Sequence, residues 1–94
     1  MHPYVIVRTV SAGCFAGDLV EQSHGEVVLL NARRLWHWKG AASLSQLAVD
    51  GTSKPNECKF PVEVERIIIF GVIEIISVTS RARSSIKEVP IWVA

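Results

Sequence analysis

The sequence predicts an α+β fold: a compact antiparallel β-sheet or partly open barrel that carries one or two short helices. Three observations predict it. Runs of β-branched residues alternate with short polar turns, as in antiparallel strands joined by hairpins. Leu44, Leu47 and Ala48 stand at the spacing of one apolar helix face. The chain has 94 residues, so we expect a single domain over residues 1–94.

The first third of the chain predicts a meander of strands. Residues 4–10 are rich in Val and Ile and predict a first strand, and residues 14–20 predict a second strand after a turn at residues 11–13. The polar residues 21–26 predict a second turn. A third strand is expected to begin at residues 27–30 and to continue its direction through residues 35–38.

Two local features refine the path of the chain. Asn31-Ala32 predicts a β-bulge between the two halves of the third strand. Ser43 and Gly51 are suited to cap a helix of two to three turns between them. Residues 51–61 predict a loop, with a single helical turn at residues 55–59.

The last third of the chain predicts strands, a helix and a terminal strand. Residues 62–65 alternate in polarity, and the apolar run 67–76 is interrupted by Gly71, which predicts a bulge or sharp bend. Thr79 is suited to cap a second short helix that runs to residue 87. Residues 91–93 predict a terminal strand that adds to a sheet edge.

The composition favours self-association and does not favour binding to nucleic acid or to a membrane. Hydrophobic residues make up 49% of the chain and charged residues 20%. A small chain with this excess of apolar side chains tends to bury it against another subunit, so we expect a homo-oligomer with residues 67–76 or the terminal strand at the interface. A net charge of +1 creates no field that would attract nucleic acid or a membrane.

The sequence also bears on location and on thiol chemistry. The apolar run 67–76 is too short to span a bilayer, and the N-terminus lacks the pattern of a signal peptide, so we expect a soluble intracellular protein. Without an export signal we expect Cys14 and Cys58 to be buried free thiols rather than a disulfide.

No catalytic or metal-binding constellation is visible. His2, His24 and His37 are not spaced with acids or nucleophiles as catalysis requires. No Cys or His lies at metal-ligand spacing, and no glycine-rich phosphate loop is present. We therefore expect a protein that is not an enzyme and that has no metal and no cofactor.

The centre of the chain is the candidate binding site. In a regular strand Trp36 and Trp38 point the same way, and by alternation Arg34 shares their face. Paired indoles beside cations and a helix N-terminus suit a flat anionic ligand. The predicted ligand-binding residues are Arg33, Arg34, Trp36, Trp38, Lys39, Ser43, Ser45, Gln46 and Lys54. The alternative is that the tryptophans pack in the core or at an interface and that Ser43 only caps its helix.

A longer pattern surrounds this site. Residues 33–48 have the pattern R-x-L-W-x-W-x-G-A-A-S-L-S-Q-L-A, followed by G-T-S-K-P at 51–55 and C-K-F-P at 58–61. The segments S-A-G-x-F-A-G at 11–17 and V-P-x-W at 89–92 extend it almost from end to end. This pattern resembles a family of small phage and prophage proteins described only as a domain of unknown function. The resemblance implies a viral origin and a small accessory or virion protein, and it assigns no catalytic residue.

Three functions are compatible with these observations. The first is a non-enzymatic phage accessory protein that forms a homo-oligomer and binds a small anionic ligand, acting in the host cytoplasm as a counter-defence protein that sequesters a nucleotide immune signal. The second is a structural virion component, such as a decoration or connector subunit. The third is an inhibitor that binds one host protein directly.

Overall fold

The predicted class is confirmed by a computed structural model that describes residues 2–93. Five antiparallel strands form one sheet in the order β4-β3-β2-β1-β5, and the sheet does not close. Two short helices and one 3-10 turn complete the fold. The strands are β1 (Tyr4–Thr9), β2 (Cys14–Ser23), β3 (Glu26–Arg34), β4 (Val64–Phe70) and β5 (Val72–Ser77). The helices are α1 (Leu44–Asp50) and α2 (Ser80–Glu88), and the 3-10 turn spans Pro55–Glu57.

The two hairpins form as predicted, although the second turn is shorter. Between β1 and β2 the Thr9 hydroxyl accepts from the Ala12 amide at 2.8 Å and donates to the Gly13 carbonyl at 2.9 Å. Between β2 and β3 only His24 and Gly25 form the turn, with φ of 49° and 79°. Positive φ at both positions matches the twist of the strands, so β2 extends to Ser23 instead of ending near residue 20.

The predicted bulge at Asn31-Ala32 is confirmed. Opposite β2, the pairing steps from Leu30–Asp18 to Arg33–Ala16, so two residues of β3 face one residue of β2. Asn31 adopts a φ of 52°, which asparagine tolerates well. The bulge shifts the alternation of side chains by one, and this shift decides where the following arginines point.

Gly71 forms a corner between β4 and β5, as predicted. Its φ is 70°, and no hydrogen-bonded ladder joins the two strands that it connects. Its carbonyl accepts from the Val10 amide at 3.0 Å, and the next amide, of Val72, donates to Gly25 at 3.0 Å. These bonds fix the corner against both hairpin turns while β5 crosses to pair with β1 on the far side of the sheet.

The sheet has a core on each face. One face packs under the helices, where Ile6, Leu47, Phe60 and Ile86 are fully buried. The other face folds on itself around a second group of buried residues. That second core contains Val5, Val7, Phe15, Val27, Leu29, Ala32 and Ile69.

All three predicted helix caps are confirmed. The Ser43 hydroxyl accepts from the Gln46 amide at 3.1 Å, and Gly51 closes α1 with a bond to the Leu47 carbonyl at 3.0 Å. The Thr79 hydroxyl accepts from the Ala82 amide at 3.1 Å at the start of α2. The helices lie side by side over the sheet.

Three further strand bounds were predicted wrongly. β3 ends at Arg34 and does not continue to Trp38, because beyond Leu35 only His37 pairs, with Lys59 of the following loop. β4 begins at Val64, not at residue 62. The predicted terminal strand over residues 91–93 is reduced to one parallel bridge between Ile91 and Phe60.

Candidate functional site

The bulge in β3 turns Arg33 into the core under the helices, where it is 3% exposed. All five N–H donors of its guanidinium have a carbonyl acceptor. The acceptors are the carbonyls of Pro61 at 3.1 Å, Ile86 at 2.8 Å, Val89 at 2.9 Å, Phe60 at 2.6 Å and Pro90 at 3.5 Å. Arg33 therefore serves the fold, and no donor is left for a ligand.

Within residues 2–93 no carboxylate forms a salt bridge with Arg33, and its cation is stabilised by dipoles. The carbonyls of Ile86 and Val89 lie at the C-terminal, partially negative end of α2. The ring of Phe60 adds a cation–π contact at 5.5 Å. Burial lowers the pKa of Arg33, yet arginine stays protonated in proteins.

Arg34 lies on the opposite side of β3, at the wall of a surface groove. Its Nη1 donates to the Ala12 carbonyl at 2.8 Å, and its guanidinium stacks over Phe15 at 4.4 Å from the ring centre. Within residues 2–93, Nε and Nη2 of Arg34 have no hydrogen-bond acceptor. The guanidinium of Arg34 is thus fixed in position at the surface by Ala12 and Phe15 and keeps free N–H donors.

The groove beside Arg34 has a volume of about 230 Å³. Trp36, 64% exposed, lines it together with Arg34. The β1–β2 turn, residues 11–14, supplies the other wall. An exposed indole next to a cation with free donors is suited to stack a planar ring and to hold an anionic group.

Cys14 also lines this groove but is not a reactive thiolate. Burial raises the pKa of Cys14, so the group is a neutral thiol at physiological pH. Cys14 and Cys58 are both free thiols, as expected, but only Cys58 is buried, whereas Cys14 is half-buried. The groove therefore offers one cation, one indole and one neutral thiol.

Trp38 has a different environment from Trp36. It is half-buried and packs against the core under the helices, beside residues such as Leu44 and Cys58. The expected shared surface of both indoles does not form, because β3 ends at Arg34 and the chain turns to pair His37 with Lys59. For Trp38 the packing alternative agrees with the structure.

The loop after Trp38 is held by the loop after α1. The Thr52 hydroxyl donates to the Lys39 carbonyl, and the Ser53 amide donates to the Gly40 carbonyl at 3.3 Å. A Cβ placed on Gly40 would lie 2.6 Å from the Lys54 amide nitrogen, so the two loops touch through the backbone. The side chains of Lys39 and Lys54 are exposed outside this contact, and Lys39 lies 4.0 Å from Glu57.

The start of α1 is occupied by its own side chains. Ser43 caps the Gln46 amide at 3.1 Å, and the Gln46 side-chain oxygen accepts from the Ala42 amide at 2.6 Å. Ser45 is exposed. The groove that Trp36 lines is formed by residues 11–14 and 34–36 and does not include these side chains. The structure thus brings together Arg34 and Trp36 and leaves Ser43, Ser45 and Gln46 elsewhere.

Sequence reasoning missed a larger cavity of about 530 Å³ beside β1 and α2. Asp18, Ser80 and Arg83 lie on its walls, and Asp18 accepts from the Asn31 amide group at 3.1 Å. Its residues come from three strands and a helix that are far apart in the chain. No local motif could have identified it.

The part of the chain that the structure describes contains no group of three His, Cys, Asp or Glu side chains placed to hold a metal ion. No helix of residues 2–93 is long and apolar enough to cross a membrane.

Comparison with known proteins yields one family match. The model of a family described as a domain of unknown function, DUF6948, matches residues 2–86. No curated protein and no solved structure matches the chain.

Proposed function

The chain belongs to the DUF6948 family, and we propose that it is a non-enzymatic binding protein that holds a small planar anion in the groove between Arg34 and Trp36. The observation that carries this proposal is the placement of a 64% exposed indole beside a guanidinium that is held in position yet keeps free donors. The indole is suited to stack on the base of a nucleotide, and the guanidinium is suited to bind its phosphate.

The size of the groove limits the ligand. Pockets for whole drug-sized ligands span about 300–1,000 Å³, and this groove measures about 230 Å³. It is suited to one base with its first phosphate, not to a long oligonucleotide. The proposal includes the viral setting that the resemblance implies, in which the protein sequesters a host nucleotide signal in the cytoplasm and so blunts an immune response.

Binding is tested by calorimetric titration of purified protein with a panel of linear and cyclic nucleotides. We expect a Kd below about 1 mM for at least one of them, since stacking contributes about 1–3 kcal/mol and a charge-assisted contact a similar amount. Trp36→Ala and Arg34→Ala should each raise the Kd at least tenfold.

Two control variants separate this site from general damage. Trp92→Ala removes another partly exposed indole, and Arg81→Ala removes another exposed arginine, paired with Asp50 at 2.5 Å. Both should bind as the natural protein does. Absence of binding across the panel, or an unchanged Kd in well-folded Trp36→Ala, would refute the proposal.

A structural virion role is the second candidate, because apolar side chains are exposed on the outer face of β4. Ile68 is 45% and Phe70 64% exposed. A protein detected at fixed stoichiometry in purified particles would favour this role over ligand sequestration. A host-protein inhibitor, the third possibility, has no separate observation in its favour.

A further inference from the structure

The outer face of β4 exposes apolar side chains that neither helix covers. Ile68 and Phe70 are 45% and 64% exposed. Val28 of β3 pairs with Ile68 and extends the same face. Soluble proteins rarely leave a contiguous apolar strip of this kind without a partner.

β4 is also an edge strand with few protective features, because its charged side chains are confined to Glu65 and Arg66. It is the terminal strand of the sheet and pairs only with β3, in a regular register from Glu26–Phe70 to Ala32–Val64. It contains neither proline nor a bulge. Such an edge is a template for another strand.

The β2–β3 hairpin determines which backbone N–H and C=O groups of β4 are unpaired at the open edge. Ser23 and Glu26 flank the two-residue turn, so their N–H and C=O groups face each other. Alternation then directs the groups of Val27 and Leu29 toward β4. By the same alternation Arg66, Ile68 and Phe70 direct their N–H and C=O groups away from β3, to the open edge.

We propose that two copies of this chain associate by antiparallel pairing of β4 with β4, with Ile68 opposite Ile68 at a two-fold axis. The five-stranded sheets join into one ten-stranded sheet. This inference goes beyond the proposed ligand binding and does not depend on it. In this register Arg66 of each copy lies opposite Phe70 of the other.

The outer face is complementary in this register. Its central row is Val28–Ile68 of one copy followed by Ile68–Val28 of the other, because Val28 pairs with Ile68. On either side of this row, Arg66 of one copy lies opposite Phe70 of the second copy. Within the second copy, Glu26 pairs with Phe70 and lies just beyond it. A cation therefore meets an aromatic ring with a carboxylate just beyond it.

The inner face is complementary as well. Leu29 pairs with Ile67, and Val27 pairs with Ile69 within each copy. In the proposed register Ile67 lies opposite Ile69 of the second copy, so the rows Leu29–Ile67 and Ile69–Val27 join. These side chains belong to or pack against the second core, which thus continues across the axis.

Neighbouring registers lack this complementarity. Only shifts of two residues keep each face on its own side of the sheet. A shift of two residues toward Val64 places Glu65 opposite Ile69 and leaves Arg66 without a carboxylate nearby. A shift of four residues in the same direction places Arg66 opposite Arg66. A shift the other way moves the overlap into the Gly71 corner, where β4 ends.

Sedimentation analysis of the natural protein and two matched variants tests the interface. We expect a dimer that Ile68→Lys converts to a monomer, with at least a tenfold rise in the dimer Kd. Ile73→Lys is the control, because Ile73 is similarly exposed, at 51%, on the opposite edge strand β5. It should leave the dimer intact.

The register is tested by charge reversal. Within one copy, Glu26 and Arg66 lie four residues apart along paired strands, about 13 Å, so they do not interact. We expect Arg66→Glu to weaken the dimer at least tenfold and the added change Glu26→Arg to restore most of the affinity.

Several outcomes would overturn the interface. A monomeric natural protein at tens of micromolar would do so, as would dissociation by Ile73→Lys but not by Ile68→Lys. Failure of Glu26→Arg to rescue Arg66→Glu would reject the register. Nucleotide titration of the monomeric Ile68→Lys variant keeps the two proposals apart, because its groove is unaltered.

Discussion

At the scale of single residues, Arg33 and Arg34 show how one backbone irregularity assigns opposite roles to adjacent identical side chains. The bulge at Asn31 directs Arg33 toward the helices and Arg34 toward the opposite face. Arg33 then joins β3 to the end of α2 and to the loop before β4 through five carbonyls. Arg34 makes one backbone bond and remains at the surface.

Arg33→Met should therefore destabilise the protein far more than Arg34→Met. Removing the guanidinium takes the Arg33 donor from the buried Val89 carbonyl and leaves the Ile86 and Phe60 carbonyls with only the amides of Val89 and Trp92 as donors. We therefore expect a loss of about 3 kcal/mol or more in the free energy of unfolding. Urea denaturation measures it. Arg34→Met should cost less than about 1 kcal/mol. Equal losses in the two variants would contradict the structural role of Arg33.

The sequence predicted the bulge and the alternation after it, but not the binding of Arg33. The alternation of side chains along a strand predicts only that the two arginines lie on opposite faces of the sheet. Which face the helices cover depends on how α2 returns across the sheet, some 50 residues later in the chain. The acceptors of Arg33 are backbone carbonyls, which carry no sequence signal at all.

At the scale of elements, features determined by local chemistry were predicted and features determined by distant partners were not. Ser43, Thr79 and Gly71 act through their own backbone neighbourhood, and all three took their predicted roles. The end of β3 was predicted wrongly because Lys59 supplies the pairing partner of His37. Separation of Trp36 from Trp38 follows from that same distant pairing.

Gly71→Val should destabilise the corner between β4 and β5 through backbone strain. A φ of 70° is unfavourable for a β-branched residue, whereas a Cβ at this position would meet no atom within 4 Å. We expect a loss of about 1–2 kcal/mol in the free energy of unfolding, measured by chemical denaturation. Overfilling of the corner is therefore not the cause of the loss.

Gly71→Asn is the matched control, because asparagine adopts positive φ more readily than valine and has a similar need for space. It should lose clearly less stability than Gly71→Val. If both variants lose the same amount, steric crowding rather than backbone conformation governs the corner.

At the scale of the whole molecule, Tyr4 links the sheet to α2 and carries a buried hydroxyl. Its ring lies beneath the cations of Arg83 and Lys87, at 5.4 and 5.3 Å from the ring centre. The residue is 6% exposed, and its hydroxyl has no hydrogen-bond partner within residues 2–93. Burial, followed by the nearby Glu63 carboxylate, raises the pKa of Tyr4 above its usual value.

This shift predicts how the stability of the whole fold depends on alkaline pH. An unperturbed tyrosine has a pKa of about 10, and burial raises the pKa of Tyr4 above that value in the folded protein. Its contribution to stability is therefore constant below pH 10 and is lost as pH rises above that value, by up to about 1.4 kcal/mol per pH unit. Because Tyr4 is the only tyrosine, tyrosinate absorbance should appear together with unfolding and not before it.

Tyr4→Phe tests this prediction against the titration of the lysines, which also occurs in this range. The variant loses no hydrogen bond and removes a buried hydroxyl that has no partner within residues 2–93. Its stability at neutral pH should therefore exceed that of the natural protein by about 1 kcal/mol. Its alkaline unfolding should occur at higher pH than that of the natural protein. Identical alkaline midpoints for the two proteins, or tyrosinate formation while the sheet is still folded, would show that the Tyr4 hydroxyl reaches solvent and does not couple to the fold.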